Sequence, residues 1–335
     1  MSLSNMRFPT SILFGVGAIK KLYEKFKDSG CKKPLLVTDR SVVKLVVFKK
    51  LEALLGEAAI SFSVFSDTGG NPTEEDVMKG SEAFKKNHCD SVISFGGGCS
   101  LDVAKGILLM ATHDGSVFDY EDGLEGARNI ENKIPFSIAI PTTAGTGSEV
   151  GGSFVVSRKD TGKKIIIWST HLVPNFVIGD PDLLVDLPPR ITASTGVDAL
   201  VHNMEAFLVN SFHPICDGIA LEGIRLIHKS LVKSYKNPND LEARSDMLAA
   251  SMMGATAFQK GLGVNHSCAH ALSEVFNLHH GLANALMMSA CMEFNFETCP
   301  DKFERMGRII GLNEKAGEGF LKWLDELRSD LDLSF

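Results

Sequence analysis

The 335-residue sequence has no long apolar run, no Cys-x-x-Cys pair, no basic cluster, no internal repeat and no low-complexity segment. Each absence excludes something. A helix that spans a membrane needs roughly 20 apolar residues with few charges, and no stretch comes near that. The N-terminus, Met1-Ser-Leu-Ser-Asn-Met6-Arg7, lacks the apolar centre of a secretory signal, and the natural start is expected near Met6. The seven cysteines, Cys31, Cys89, Cys99, Cys216, Cys268, Cys291 and Cys299, are odd in number and spaced without pairs. That argues against a disulfide framework or a zinc ribbon, and for free thiols in a reducing cytoplasm. With 34 Lys and Arg against 41 Asp and Glu, the net charge of -7 offers no basic footprint for nucleic acid. The rest of the composition, 44% hydrophobic and 22% charged, is that of an ordinary soluble enzyme.

What is present divides into two patterns. The length exceeds the comfortable size of one core, so two domains are expected. In the first half, short β-branched runs alternate with helical patterns. Strands are predicted over residues 34–38, 60–65, 91–95 and 136–140, with helices over 44–55, from about 73, and over 101–110. Asn71-Pro72-Thr73 supplies a turn and a cap for the second of these helices. Such alternation with short links implies an α/β domain, a parallel sheet with helices on both faces. Residues 153–157 and 164–168 read as a β-hairpin. From Ile191 onward the period is helical, with breaks at Pro214, Asn237-Pro238-Asn239, Gly261–Gly263 and Cys299-Pro300-Asp301. An all-helical second domain is expected, with domains over residues 1–185 and 186–335.

Two loops at strand ends carry nucleotide-like chemistry. Gly96-Gly97-Gly98-Cys99-Ser100-Leu101-Asp102 closes a strand and opens a helix. Consecutive glycines let backbone N–H groups approach a pyrophosphate, and the helix N-terminus adds a favourable dipole. A plain strand–helix turn would look the same, and the Gly-x-Gly-x-x-Gly fingerprint is absent. Pro141-Thr142-Thr143-Ala144-Gly145-Thr146-Gly147-Ser148-Glu149 follows another strand. Its hydroxyls suit a phosphate, ribose or carboxamide, or they bond their own backbone. Asp39 ends the strand over 34–38, where an acid can bind an adenosine ribose, cap a helix, or do both.

The histidines are the strongest signal. Four of the ten, His266, His270, His279 and His280, fall within fifteen residues of Gly263-Val-Asn-His266-Ser-Cys-Ala-His270-Ala-Leu-Ser-Glu-Val-Phe-Asn-Leu-His279-His280-Gly281. His266 and His270 are spaced i, i+4, as are Asp198 and His202 in Gly196-Val-Asp198-Ala-Leu-Val-His202-Asn-Met-Glu205, so each pair shares a helix face. One carboxylate and several imidazoles from two helices can converge on one divalent metal. Asp198, His202, His266 and His280 fill a four-coordinate set. His270 is then a proton carrier, or a ligand with another of the five left out. His279 is the weaker of the adjacent pair, because neighbouring side chains diverge. Cys268 points off the ligand face and reads as packing. The isolated His88, His113, His171, His213 and His228 read as satisfied core histidines. Trp168, Phe258 and Phe276 are cleft walls or, the blander choice, core.

Taken together these segments resemble the iron-containing (group III) alcohol dehydrogenases, relatives of dehydroquinate synthase and glycerol dehydrogenase. The resemblance runs from about Phe8 to the end and rests on residues 96–105, 141–149, 179–184, 196–206 and 263–281. It implies an N-terminal nucleotide domain, a C-terminal helical domain and a metal in the cleft between. Carried over residue by residue, the family's ligands fall on Asp198, His202, His266 and His280, and its unligated active-site histidine on His270. Its NAD contacts fall on Asp39, Gly97, Gly98, Asp102, Thr142, Thr143 and Ser148, with Asp39 pointing to NAD rather than NADP. Cys99 replaces a usual serine and Ser273 a usual glycine, and the sequence stops one or two helices before family members generally do.

The expectation is therefore a cytoplasmic, metal- and NAD-dependent alcohol dehydrogenase or aldehyde reductase. Hydride would pass between the nicotinamide and a metal-bound alcohol or carbonyl, with His270 relaying the proton. Fe2+ is the expected metal and Zn2+ the alternative, since the ligand set serves either. The expected partners are a small alcohol or aldehyde and, as a homodimer, a second copy of the chain. Two rivals stand: a metal-dependent lyase or synthase of the dehydroquinate synthase type, and a noncatalytic metal- or nucleotide-binding relative.

Overall fold

A computed structural model of the chain describes residue 6, residues 10–276 and residues 278–333. They divide into two compact units. One runs up to Thr142 and adds Ser148–Leu183; the other takes Thr143–Gly147 and the chain from Leu184 onward.

The first unit is built on β1 (Ser11–Phe14), β2 (Pro34–Asp39), β3 (Ser63–Thr68), β4 (Ser91–Gly96), β5 (Phe136–Pro141) and β8 (Phe176–Gly179). These form a parallel sheet in the order β1-β8-β5-β4-β2-β3. The hairpin of β6 (Ser153–Ser157) and β7 (Lys164–Trp168) is antiparallel, pairing Ser153 with Trp168, as its sequence predicts. Helices α1 (Leu22–Asp28), α2 (Val46–Glu57), α3 (Glu74–Lys86) and α4 (Gly98–Thr112) complete the unit. Consecutive residues Leu35, Leu36 and Val37, and likewise Val92 and Ile93, are wholly buried, so both faces of the sheet are covered. Thr73 caps α3 in a capping box with Asp76, as Asn71-Pro72-Thr73 foretells.

Two sequence expectations need correction. The strand expected over 60–65 begins at Ser63 instead. Ala59 takes a left-handed conformation (φ 54°), and the Ile60 N–H bonds the Leu55 carbonyl, closing α2 in a Schellman turn. Ile60 is thus spent ending a helix. Strands β1 and β8 were not foreseen, being only four residues each. Asp180 follows β8, fully buried, and accepts hydrogen bonds from the N–H groups of Gly17 and Ile19, each at 3.0 Å.

The second unit is helical: α5 (Pro189–Leu208), α6 (Pro214–Lys236), α7 (Leu241–Ala257), α8 (Val264–Phe276), α9 (His280–Thr298), α10 (Pro300–Ile309) and α11 (Ala316–Asp330). The breaks fall where Pro214, Asn237-Pro238, Gly261–Gly263 and Cys299-Pro300 predict them. Every residue of α5 from Thr192 to Phe207 is buried, which makes it the unit's central helix. Asp198, His202 and Glu205 therefore sit in the middle of a core, where unpaired charge is costly. Among the described residues no helix is long and apolar enough to cross a membrane.

Candidate metal centre and nucleotide-binding loops

Asp198 and His202 lie one turn apart on α5, His266 lies in the first turn of α8, and His280 begins α9. One donor atom from each lies within 4.8 Å of the others. Asp198 Oδ1 is 3.4 Å from His280 Nε2, 3.9 Å from His266 Nε2 and 4.0 Å from His202 Nδ1. Gly281 makes this convergence possible: a Cβ there would run into the Ser194 carbonyl of α5, so only glycine lets α9 begin so close. Asn284, one turn into α9, donates from Nδ2 to Asp198 Oδ1 at 2.7 Å, and its own Oδ1 is held by Asn265 at 2.8 Å.

The electrostatics fit a cation. Burial lowers His202 to about 4 and His280 to about 3, so both rings are neutral at physiological pH with lone pairs available. Burial pushes Asp198 upward, but the three surrounding histidines and Asn284 outweigh it and hold the carboxyl below its usual range. The result is a buried carboxylate beside the neutral imidazoles of His202 and His280. His202 Nδ1 is buried and lacks a hydrogen-bond partner, while the Gly145 backbone bonds the ring. An orphaned nitrogen aimed at a buried carboxylate is what a divalent cation would satisfy. The residues fit the group.

His270 stands outside these four. It is half-buried, its ring 5.2 Å from that of His280 and 6.4 Å from that of His266. His279 is exposed at the N-cap of α9. Of the isolated histidines, His113 and His213 are the buried, satisfied ones: His113 bonds the Leu109 carbonyl and the Asn132 N–H, and His213 caps α6. His88, His171 and His228 are exposed, so the core assignment fails for them. It fails also for Trp168 and Phe276, which are 46% and 65% exposed. Phe258 is half-buried against the His202 ring, centroids 5.1 Å apart.

In the α/β unit, Gly97 is the N-cap of α4 and Gly98 its first residue, with no side chain capping the exposed amides. That leaves the first-turn N–H groups free for an anion. Asp39 Oδ1 accepts from the N–H groups of Ser41 and Val42 at 2.8 and 2.9 Å, and Oδ2 from the Ser100 hydroxyl at 3.3 Å. Asp39 is thus a local cap, and Ser100, wholly buried, ties it to the glycine turn. Cys99 donates to the Gly70 carbonyl. Thr142 is buried, its N–H on the Gly96 carbonyl at 3.0 Å, and Thr143 is half-buried.

Asp102 and Ser148 bond each other at 2.6 Å, and Asp102 also accepts from the Val155 N–H. Lys105, missed by sequence reasoning, binds both oxygens of Ser148 and the Ser153 carbonyl from a buried position. Burial drags it down to about 8, against the pull of Asp102 and Glu149. Glu149 was missed as well. Burial pushes its carboxyl up to about 7, and its Oε1 has no partner. Nothing in spacing marks either residue; only the fold buries them.

A parallel α/β sheet, joined in one chain to a helical unit with a divalent-cation donor set, defines a two-part metalloenzyme. Residues 9–181 match the model of the iron-containing alcohol dehydrogenases, and residues 192–334 match the C-terminal part of the Fe-containing alcohol dehydrogenase family. The chain belongs to the iron-containing alcohol dehydrogenase family, and its enzyme class is that of oxidoreductases acting on alcohols with NAD. It is 38% identical over 317 residues to the 4-hydroxybutyrate dehydrogenase of Cupriavidus necator, covering 92% of this chain and 82% of that one. A solved 1,3-propanediol oxidoreductase superposes with a TM-score of 0.94 at 32% identity, over 99% of this chain and 88% of that one. The sulfoacetaldehyde reductase of Bifidobacterium kashiwanohense, solved with NAD+, superposes at 0.91 with 30% identity, over 99% and 86%.

Proposed function

We propose that the protein interconverts small primary alcohols and aldehydes with NAD(H), using one divalent cation held by Asp198, His202, His266 and His280. The single observation carrying this is the four-residue donor set, three of its members buried and His280 half-buried, within 4.8 Å, in a chain of this family. Such a cation, Fe2+ in the first instance and Zn2+ as the alternative, supplies Lewis-acid polarisation of the substrate oxygen, while the nicotinamide carries hydride.

The chain's residues supply the rest. Gly97 and Gly98 offer backbone N–H groups to a pyrophosphate at the start of α4. Asp39 disfavours a 2′-phosphate by charge, which makes the coenzyme NAD rather than NADP. Thr142 and Thr143 continue the coenzyme contacts, and Asp102 and Ser148, bonded to each other, hold that loop in shape. His270, near the His280 ring but outside the donor set, carries the proton toward solvent. The relative solved with NAD+ supports the coenzyme assignment. Seven free cysteines suit a cytoplasmic setting. A homodimer completes the proposal, supported by the edge strand β1 with its exposed Ile12 and Phe14.

An anaerobic panel run on Fe2+- and Zn2+-loaded protein tests the reading, with 4-hydroxybutyrate, 1,3-propanediol and sulfoacetaldehyde among the probes. Stoichiometric formation or consumption of NADH is expected. Conversion without net change in NADH would establish a lyase or synthase instead. Tight metal and NAD binding with no turnover would mark a noncatalytic relative.

A further inference from the structure

Glu205 lies outside the donor set, one turn beyond His202 on α5, and is 1% exposed. Both of its carboxylate oxygens are aimed at the start of α8. Oε2 accepts from His266 Nδ1 at 2.6 Å and from the His266 N–H at 3.2 Å, and Oε1 accepts from the Asn265 N–H at 2.7 Å. Those amides belong to the first turn of a helix, where no intrahelical carbonyl can reach them. The preceding residue makes room for this contact: a Cβ on Gly263 would sit 2.7 Å from Glu205 Oε1 and 3.3 Å from Cδ. Glycine at 263 and glutamate at 205 are therefore one device, reaching across the 60 residues that separate Glu205 from its Asn265 partner.

A carboxylate on Nδ1 leaves that nitrogen protonated and puts the free lone pair on Nε2. His266 Nε2 is the ring atom that faces Asp198 Oδ1, at 3.9 Å. We infer that Glu205 is a positioning residue of the metal centre: it locks His266 in the tautomer that presents Nε2 to the cation, and it anchors the helix from which that ring projects. The inference rests on Asp198, His202, His266 and His280 being a cation site. A carboxylate behind an imidazole also raises the ring's strength as a ligand, and losing such a partner typically costs about 10- to 100-fold in metal affinity. Glutamine at 205 could still accept from the α8 amides, but its NH2 would confront Nδ1–H or turn the ring proton onto Nε2.

The test titrates the full chain and Glu205→Gln with Co2+ alone, against a chromophoric chelator, and records the ligand-field spectrum of each. In parallel, the ring nitrogens of 15N-histidine-labelled, Zn2+-loaded wild type are assigned by NMR. The expected result is one Co2+ bound by wild type, binding about 10- to 100-fold weaker in the variant with an altered spectrum, and a proton on His266 Nδ1. A Co2+ affinity within about twofold of wild type and an unchanged spectrum would overturn the positioning role. A melting temperature lowered without any spectral change has the same meaning, because a purely structural cap predicts it. A proton on His266 Nε2 in wild type overturns it independently, and so decides the matter should the variant fail to fold. Wild type that binds no Co2+ overturns the metal site itself, and the role of Glu205 with it.

Discussion

In the helical unit the functional groups are side chains that converge; in the α/β unit they are backbone amides and side chains already bonded to one another. Asp198, His202, His266 and His280 come from three helices and have donor atoms within 4.8 Å. Asp39, Asp102 and Ser148, by contrast, spend their polar atoms on Ser41, Val42, Ser100, Val155 and each other. A site of charged donors declares its ligand in its own strain, through a buried carboxylate and an orphaned imidazole nitrogen. A site of glycines and hydroxyls is stable by itself and declares much less. The candidate metal centre is thus costly without a cation, and the loops proposed to bind the nucleotide are satisfied by their own bonds.

That contrast can be broken or sharpened by substitution. The largest effect is expected from His280→Ala, which should abolish metal loading. It should cost roughly a thousandfold in kcat/KM, the scale of several kcal/mol of Lewis-acid stabilisation. NADH binding, followed by fluorescence titration, should stay near wild type; if it falls in step, the two sites are not separable. Next, Zn2+ or Fe2+ at about a hundred times its dissociation constant should stabilise wild type by about 2.7 kcal/mol in a thermal melt. The same addition should leave His280→Ala unmoved, and equal shifts would place the cation elsewhere.

A smaller change is expected at Asp39. Asp39→Asn keeps a capping oxygen for Ser41 and Val42 but removes the charge. The ratio of kcat/KM for NAD over NADP should drop roughly tenfold, about 1.4 kcal/mol. An unchanged ratio would remove Asp39 from coenzyme selection. An effect of similar size, on stability alone, is expected at Glu149, which faces Lys105 and, beyond it, Asp102. Its folded value, about 7, lies above the usual 4.5, so its contribution to stability is complete below pH 4.5 and is lost as pH rises through 7. Glu149→Gln should therefore be more stable than wild type at pH 8, by about 1–2 kcal/mol, with the gap closing by pH 5. A gap that widens toward acid would contradict the sign.

Legibility followed the same divide. Spacing marked Asp198, His202 and His266 as a ligand cluster but left His270 and His280 as alternatives; the family resemblance favoured His280, and only the fold brings its ring to the other three. The hairpin and four of the helix breaks could be read too, since proline, glycine and alternation are local signals, whereas the breaks between α8 and α9 and between α10 and α11 were not foreseen. What could not be read depends on long-range placement. Strands β1 and β8 are too short to carry a period, and they hold their places through pairing with each other, from Ser11 with Phe176 to Phe14 with Gly179. Ile60 looks like a strand residue and serves a helix terminus. Trp168 and Phe276 look like core and lie exposed. Lys105 and Glu149 are ordinary charged residues until the fold buries them.

The central claim, a single divalent cation held by one carboxylate and three imidazoles, is tested most directly by anomalous scattering. Crystals of the anaerobically purified, Fe2+-loaded protein should give one anomalous peak at the iron edge, within bonding reach of Asp198, His202, His266 and His280 together. A peak that engages other side chains, or none at these four in fully loaded protein, would contradict it.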